Sequence, residues 1–277
     1  MNRIRRTLRI AGIQFMHSFS TPRYIIAFMA EIVYGMYYII EYSRYASRLK
    51  NPVNVMEGYM CIASSEYTIT VLVLLFIFAV SDVPFTGKGS FMERLRTDKK
   101  EWVTGKLLYI SATAVLMQLI LLLMSVVILC NSSFLNNAWS FPFTRLVQGQ
   151  YISTGVLDYQ EIGVLVAMKP FGAAAGQAGL ICMYMIFLGI LLFAISAMWS
   201  KTAAFAAVAG IHIAGFSICL SSIKTLFLPF PNAILPMIYS GERNGSVLNS
   251  VIYFVTLIAA AAVVLYFLLD KKEIRQD

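Results

Sequence analysis

The sequence predicts an all-α polytopic membrane protein, a single transmembrane domain over residues 1–277 with six spans. Three observations predict it. The residues AVILMFWYC make up 59% of the chain and charged residues only 13%, where a soluble domain carries roughly a quarter charged residues. The mean hydropathy is +0.73. The apolar residues also gather in runs of about 20, the length at which a helix crosses a bilayer.

The elements follow in order. Over residues 2–20, Ile4, Leu8, Ala11, Phe15 and Phe19 recur at helical spacing, with Arg3, Arg5, Arg6 and Arg9 elsewhere around the turn. That pattern predicts an amphipathic interfacial helix on the cytoplasmic leaflet. Its basic start has no small-residue cleavage site, so the first span is expected to act as its own insertion signal. After Pro22, spans are predicted at about 23–41, 62–81, 102–130, 176–199, 203–222 and 247–269. The third exceeds what a bilayer requires, which predicts a stem protruding into the cytoplasm. Ser200-Lys201-Thr202 leaves almost no loop before the fifth span. Residues 131–175 form a long external segment, with Trp139, Phe141 and Tyr151 available at the headgroup level. Residues 223–246 are apolar in large part but contain Pro229, Pro231 and Pro236. A regular span does not accept three such breaks, so a re-entrant or interfacial external segment is expected.

Orientation follows from the basic residues. With the N-terminus inside, Arg3, Arg5, Arg6, Arg9, Arg23, Lys88, Arg94, Arg96, Lys99, Lys100, Lys106, Lys201, Lys271, Lys272 and Arg275 are cytoplasmic. Arg44, Arg48, Lys50, Arg145, Lys169, Lys224 and Arg243 are external, so the 22 basic residues divide 15 to 7. Both termini are therefore expected in the cytoplasm, with the chain multi-pass in a plasma membrane. The net charge of +8 fits loops facing anionic membrane lipid. No basic stretch interleaved with aromatics argues for nucleic acid as a partner. Four cysteines stand far apart without a CxxC, and there are only two histidines. That pattern argues against zinc or iron–sulfur ligation. Cys61 and Cys130 both fall near the outer face, which leaves a disulfide geometrically open.

The chemistry-bearing stretch is the cytoplasmic loop 82–101. Pro84, Gly87 and Gly89 break the second span, and Ser90 then caps a short helix. That helix presents Phe91, Met92 and Leu95 beside Glu93 and Arg94, and the chain joins the third span at Trp102. It is shaped either to dock on a soluble partner and transmit motion or to lie as a charged loop against anionic lipid. Within the spans, Glu31 shares a helical face with Tyr34 and Tyr38. A carboxylate there costs on the order of 2.5–3.5 kcal/mol on insertion scales, so it is expected to face a partner or water. It either lines a polar substrate path or stabilises helix packing. Glu66, beside Ser64, Ser65, Thr68 and Thr70, carries the same two readings, whereas His212 is either a hydrogen-bonded packing residue or a proton relay, and the small row Ala206, Gly210 and Ala214 beside it either a dimer seam or packing within the chain.

The layout resembles the permease subunits of the ABC type-2 exporter family. Those have an amphipathic helix, six spans, and a cytoplasmic loop in which a Gly-containing turn and a short helix precede a "Trp/Phe-x-x-Gly-Lys" stretch. Gly87, the segment from Phe91 to Leu95, Arg96, and Trp102 with Gly105-Lys106 match that pattern. The tight turn at Ser200-Lys201 and the broken segment after span five are also similar. The resemblance implies that Phe91, Met92, Glu93, Arg94 and Leu95 form a coupling helix contacting a separate ATPase subunit, present in two copies. It implies a second permease, of the same or a different chain, around a substrate path for which Glu31, Tyr34, Tyr38, Glu66 and His212 are candidates. Export is the implied direction, and a stand-alone permease of this size suits a bacterial membrane.

The chain has no G-x-x-x-x-G-K-[ST], and Gly87-Lys88-Gly89-Ser90 lacks the spacing that cradles phosphates. No cofactor is therefore expected on this chain, with ATP and Mg on the partner. Two other classes compete. An ion-gradient-driven secondary carrier would use Glu31 as its coupling carboxylate, although no paired repeat with matched broken helices is evident. A membrane-embedded enzyme lacks an HExxH, a paired acidic motif or a Ser/His pair on adjoining spans.

Overall fold

The computed structural model describes residues 3–83, 98–149, 157, 162–220, 228–240 and 246–274, with side chains as far as 269. The chain is mostly helical. Among the described residues the helices are α1 (Arg3–Phe19), α2 (Pro22–Leu49), α3 (Glu57–Ala63), α4 (Glu66–Val80), α5 (Lys99–Leu129), α6 (Phe141–Val147), α7 (Ile162–Ala167), α8 (Pro170–Met198), α9 (Lys201–Leu220), α10 (Pro229–Asn232), α11 (Leu235–Tyr239) and α12 (Val247–Ile274). The two-residue strands β1 (Val53–Asn54) and β2 (Ser133–Phe134) pair in parallel and tie two loops together at one end.

Among the described residues, α2, α5, α8, α9 and α12 are long and apolar enough to cross a membrane. The pair α3–α4 passes the same test only when taken together, with an 81° bend between its halves. The uninterrupted run 62–81 read from sequence is thus broken at Ser64-Ser65. Serines offer the backbone local hydrogen bonds in place of the helical ladder. Here the Thr68 hydroxyl completes the break by donating to the Ser65 carbonyl at 2.8 Å, with the Ile62 carbonyl also in reach. Every residue of α3 is buried.

Prolines set half of the other helix starts. α2, α6, α8, α10 and α11 each carry one in the first turn, where the missing N–H has no intrahelical partner to lose. α2 runs eight residues past its predicted end at 41 and closes at Lys50, which takes the left-handed conformation (φ 54°) and donates its N–H to the Ser47 carbonyl.

The hub is α8, which packs against α3, α4, α5, α9 and α12. At Gly189 a side chain would collide with Ile110 of α5, so this glycine permits the close crossing of the two central helices. The stripe Tyr24, Phe28, Glu31, Gly35, Ile39 and Tyr42 is the buried face of α2, at the three- and four-residue spacing of a core-facing helix. By contrast, α9 buries only Ala204, Val208 and His212. Its Ala206, Gly210 and Ala214 are exposed.

The segment between α9 and α12 folds back on the bundle. Residues 230–236 are buried in protein, so their irregular backbone needs protein partners for its polar groups. Gln177 of α8 satisfies it: its amide donates to the Ala233 carbonyl at 3.0 Å, and its oxygen accepts from the Leu235 N–H at 2.7 Å.

Candidate functional site

Two polar files run along α5. Lys106, Tyr109 and Thr113 face α1 and α2. The buried Lys106 donates to the Gln14 side chain. The Ser18 hydroxyl donates to the Tyr109 oxygen at 2.7 Å, and Thr113 Oγ1 lies 3.5 Å from the Tyr24 hydroxyl. Farther along, Gln118 and Ser125 face α3. The Tyr59 hydroxyl donates to Gln118 Oε1 at 2.8 Å, while Ser125 Oγ accepts the Tyr59 N–H and donates to the Val55 carbonyl. All of these groups are buried.

Glu31 lies between the two files. It is fully buried, and neither carboxyl oxygen has a hydrogen-bond partner among the described residues. Tyr34 and Tyr38, its predicted companions, are half-buried and pair with each other across 3.4 Å. The hydroxyls within electrostatic reach of Glu31 belong instead to Tyr24 and Tyr59. Glu66 opens α4 just past the break, where a carboxylate is favoured by the helix dipole. His212 is fully buried and joins three helices. Its Nε2 lies 3.2 Å from the Thr70 carbonyl oxygen of α4 and its Nδ1 2.9 Å from the Tyr184 hydroxyl of α8. A carbonyl only accepts, so the proton sits on Nε2 and Nδ1 accepts from Tyr184. That arrangement is a packing bridge, remote from Glu31 in its contacts.

Sequence reasoning missed the most heavily bonded carboxyl. Glu57, at the start of α3, is fully buried and accepts four hydrogen bonds. These come from the Tyr42 hydroxyl, the Ser140 hydroxyl and the Ser140 N–H, each at 2.7 Å, and from the Asn54 N–H at 2.8 Å. Asn54 also donates to the carbonyls of Asn136 and Ala138. The knot binds the loop after α5 to α2 and to the start of α3. Only the parity of an acid with a distant Ser-Phe-Pro helix start could have hinted at it. Trp139 is held inside this knot, stacked 4.8 Å from Phe143 and donating to the Met168 carbonyl, whereas Phe141 is exposed beneath the Arg145 guanidinium. Tyr151 lies outside the described residues. The four cysteines are free thiols, so Cys61 and Cys130 are not joined.

At the opposite end, the predicted coupling residues Phe91, Met92, Glu93, Arg94 and Leu95 lie outside the described residues, as does Gly87. Both chain segments leading to them are described. On one side Asp82 pairs with Arg23 of α2 at 3.0 Å, and the Val83 carbonyl accepts from Ser196 of α8 at 2.9 Å. On the other, Trp102 packs edge-on against Phe193 of α8 at 5.6 Å, and Glu101 lies 3.9 Å from Arg6 of α1. Gly105 admits α1 against α5: a Cβ there would stand 2.7 Å from Ile10 Cγ2. Glu101, Gly105 and Lys106 thus form the seat of α1, while Trp102 turns to α8. Beside them, Arg23, Phe78, Ser81, Asp82, Lys201, Thr202 and Phe205 line an open cavity of about 430 Å³.

Comparisons of this chain with protein-family models, with curated proteins and with solved structures returned no match.

Proposed function

We propose that this chain is the membrane-spanning permease subunit of an ATP-driven exporter of the ABC type-2 kind. In this reading α2, the bent pair α3–α4, α5, α8, α9 and α12 are the six spans. α1 is the interfacial helix on the cytoplasmic leaflet, and both termini are cytoplasmic in a bacterial plasma membrane. The observation that carries the reading is the anchoring of both ends of the 84–97 stretch. Asp82 and Val83 are tied to α2 and α8, and Glu101, Trp102 and Gly105 to α1 and α8. A push on that stretch is delivered to three helices at once, as a coupling element between a soluble motor and a substrate path requires. ATP and Mg are held by the partner ATPase, and a second permease completes the path.

The test is purification of tagged chain from its native membrane in mild detergent, with mass spectrometry of what accompanies it. A stoichiometric subunit bearing a phosphate-binding loop is expected. Recovery of the chain without any ATPase overturns the reading. The unpartnered Glu31 would then favour a gradient-driven carrier in which it is the coupling carboxylate.

A further inference from the structure

Buried side-chain carboxyls find donors, because an unsatisfied charged group inside protein or lipid is costly. Glu57 obeys this rule with its four hydrogen bonds. Glu31 is buried just as fully and breaks it at both oxygens. One turn along the same face, the space above Gly35 is filled by Leu121 and Met124 of α5 and Ile62 of α3, so the setting is apolar and closely packed.

The titratable groups around it supply no countercharge. Tyr24 on its own helix and Tyr59 on α3 are the hydroxyls that feel it. Tyr109 of α5 interacts with Tyr24, and Cys182 of α8 with Tyr59. Of the nearby cations, Lys106 of α5 is engaged with Gln14, Arg6 of α1 with Glu101, and, on α2 itself, Arg23 with Asp82 and Arg44 with Glu41. On α4 the acids sit at its two ends, Glu66 at the break and Asp82 just beyond the last turn. Among the described residues no lysine, arginine or histidine forms an ion pair with Glu31.

We propose that Glu31 is a proton-binding site, holding a proton while α2 is seated on α3 and α5 and opening that seam when the proton leaves. A carboxylic acid needs no cation and little hydration, whereas a bare carboxylate in this setting demands water. On the α1 side the nearest polar groups are two buried hydroxyl pairs, Ser18 with Tyr109 and Tyr24 with Thr113, and the opening of the seam is what admits the water that exchanges the proton. No electron or leaving group is involved: one O–H bond forms or breaks. This does not rest on the exporter reading, since the same carboxyl takes a proton whether or not an ATPase is attached.

Infrared spectroscopy and amide hydrogen exchange on the full chain in lipid vesicles test it together. Wild type is expected to show the carbonyl stretch of a buried carboxylic acid at neutral pH, and E31Q to lose that band. Glu31→Asp should move it, which guards against misfolding as the cause of the loss. As pH rises and the band fades, exchange across residues 24–42 should increase by about tenfold beyond the intrinsic base-catalysed rise. That extra increase should be absent in E31Q. A band identical in wild type and E31Q overturns the site, and α2 exchange that rises equally in both overturns the opening.

Discussion

Four donors converge on the Glu57 carboxyl, and their removal defines the first residue-scale prediction. Glu57→Ala strands the Tyr42 and Ser140 hydroxyls and the Ser140 and Asn54 N–H groups in a dry site. Each orphaned donor costs about 1–3 kcal/mol. The alanine variant should therefore melt well below wild type in detergent, and Glu57→Gln in between, because its oxygen can keep the three donors on Oε2 while its NH2 faces the Ser140 N–H. Cys61 is buried next to this knot, so the rate at which a thiol dye labels it on heating is a direct readout. Equal melting of wild type and alanine variant would refute the knot. His212 makes a second case. His212→Leu should destabilise by about 1–3 kcal/mol, because it abandons the Thr70 carbonyl and the Tyr184 hydroxyl. Combined with Tyr184→Phe, the loss should fall short of the sum of the single variants, as partners in one hydrogen bond do. Additive losses would remove the bridge. At this scale the sequence was only partly legible. Glu31 and His212 declared themselves by standing in apolar runs, whereas Glu57 looks like any loop acid, since its partners Tyr42 and Ser140 are brought to it only by the tertiary fold.

Elements were easier to read than sites, for a physical reason: hydropathy and proline punctuation are local, and contacts are not. The starts of α2, α9 and α12 fall within two residues of expectation. The break in α3–α4 escaped because Ser64 and Ser65 look compatible with a polar spot near a helix end. What turns them into an 81° bend is the packing of α3 into the space between α2, α5 and α8. The role of Gly105 also became visible only with α1 in place. A leucine there would drive into Ile10 and the Thr7 carbonyl, 2.7 and 3.3 Å from the new Cβ. Overpacking of this kind costs about 1–3 kcal/mol, and α1 has few other large buried side chains with which to hold on. Gly105→Leu should therefore free α1 while leaving the bundle folded. Limited trypsin digestion reads it: Arg3, Arg5, Arg6 and Arg9 on α1 should be cut much faster than in wild type, with the rest of the pattern unchanged. An unchanged α1 cleavage rate would mean the helix is held by something other than this seat.

For the whole molecule, the proposal is that a motor outside the membrane works on helices within it, and the anchored ends of the 84–97 stretch specify how that can fail. If the stretch carries the contact, Phe91→Asp or Leu95→Asp removes an apolar anchor from the partner interface, and such anchors carry most of the energy of a docking surface. Both variants retain Asp82, Val83, Trp102 and Gly105, so α2 keeps its tie to Asp82, α8 its ties to Val83 and Trp102, and α1 its place on α5. The variants should insert, melt as wild type and lose the co-purifying ATPase, with ATP-dependent transport falling by about tenfold or more for each buried anchor lost. Gly105→Leu is the complementary case: the partner should still bind, because Phe91 and Leu95 are unchanged, but transport should drop because α1 no longer follows α5. The two variants thus separate docking from transmission. Full transport in the Phe91 and Leu95 variants with the ATPase still attached would show that force enters elsewhere. The open cavity between Arg23, Asp82 and Lys201 is then the next surface to alter, since it is built from the same helix ends.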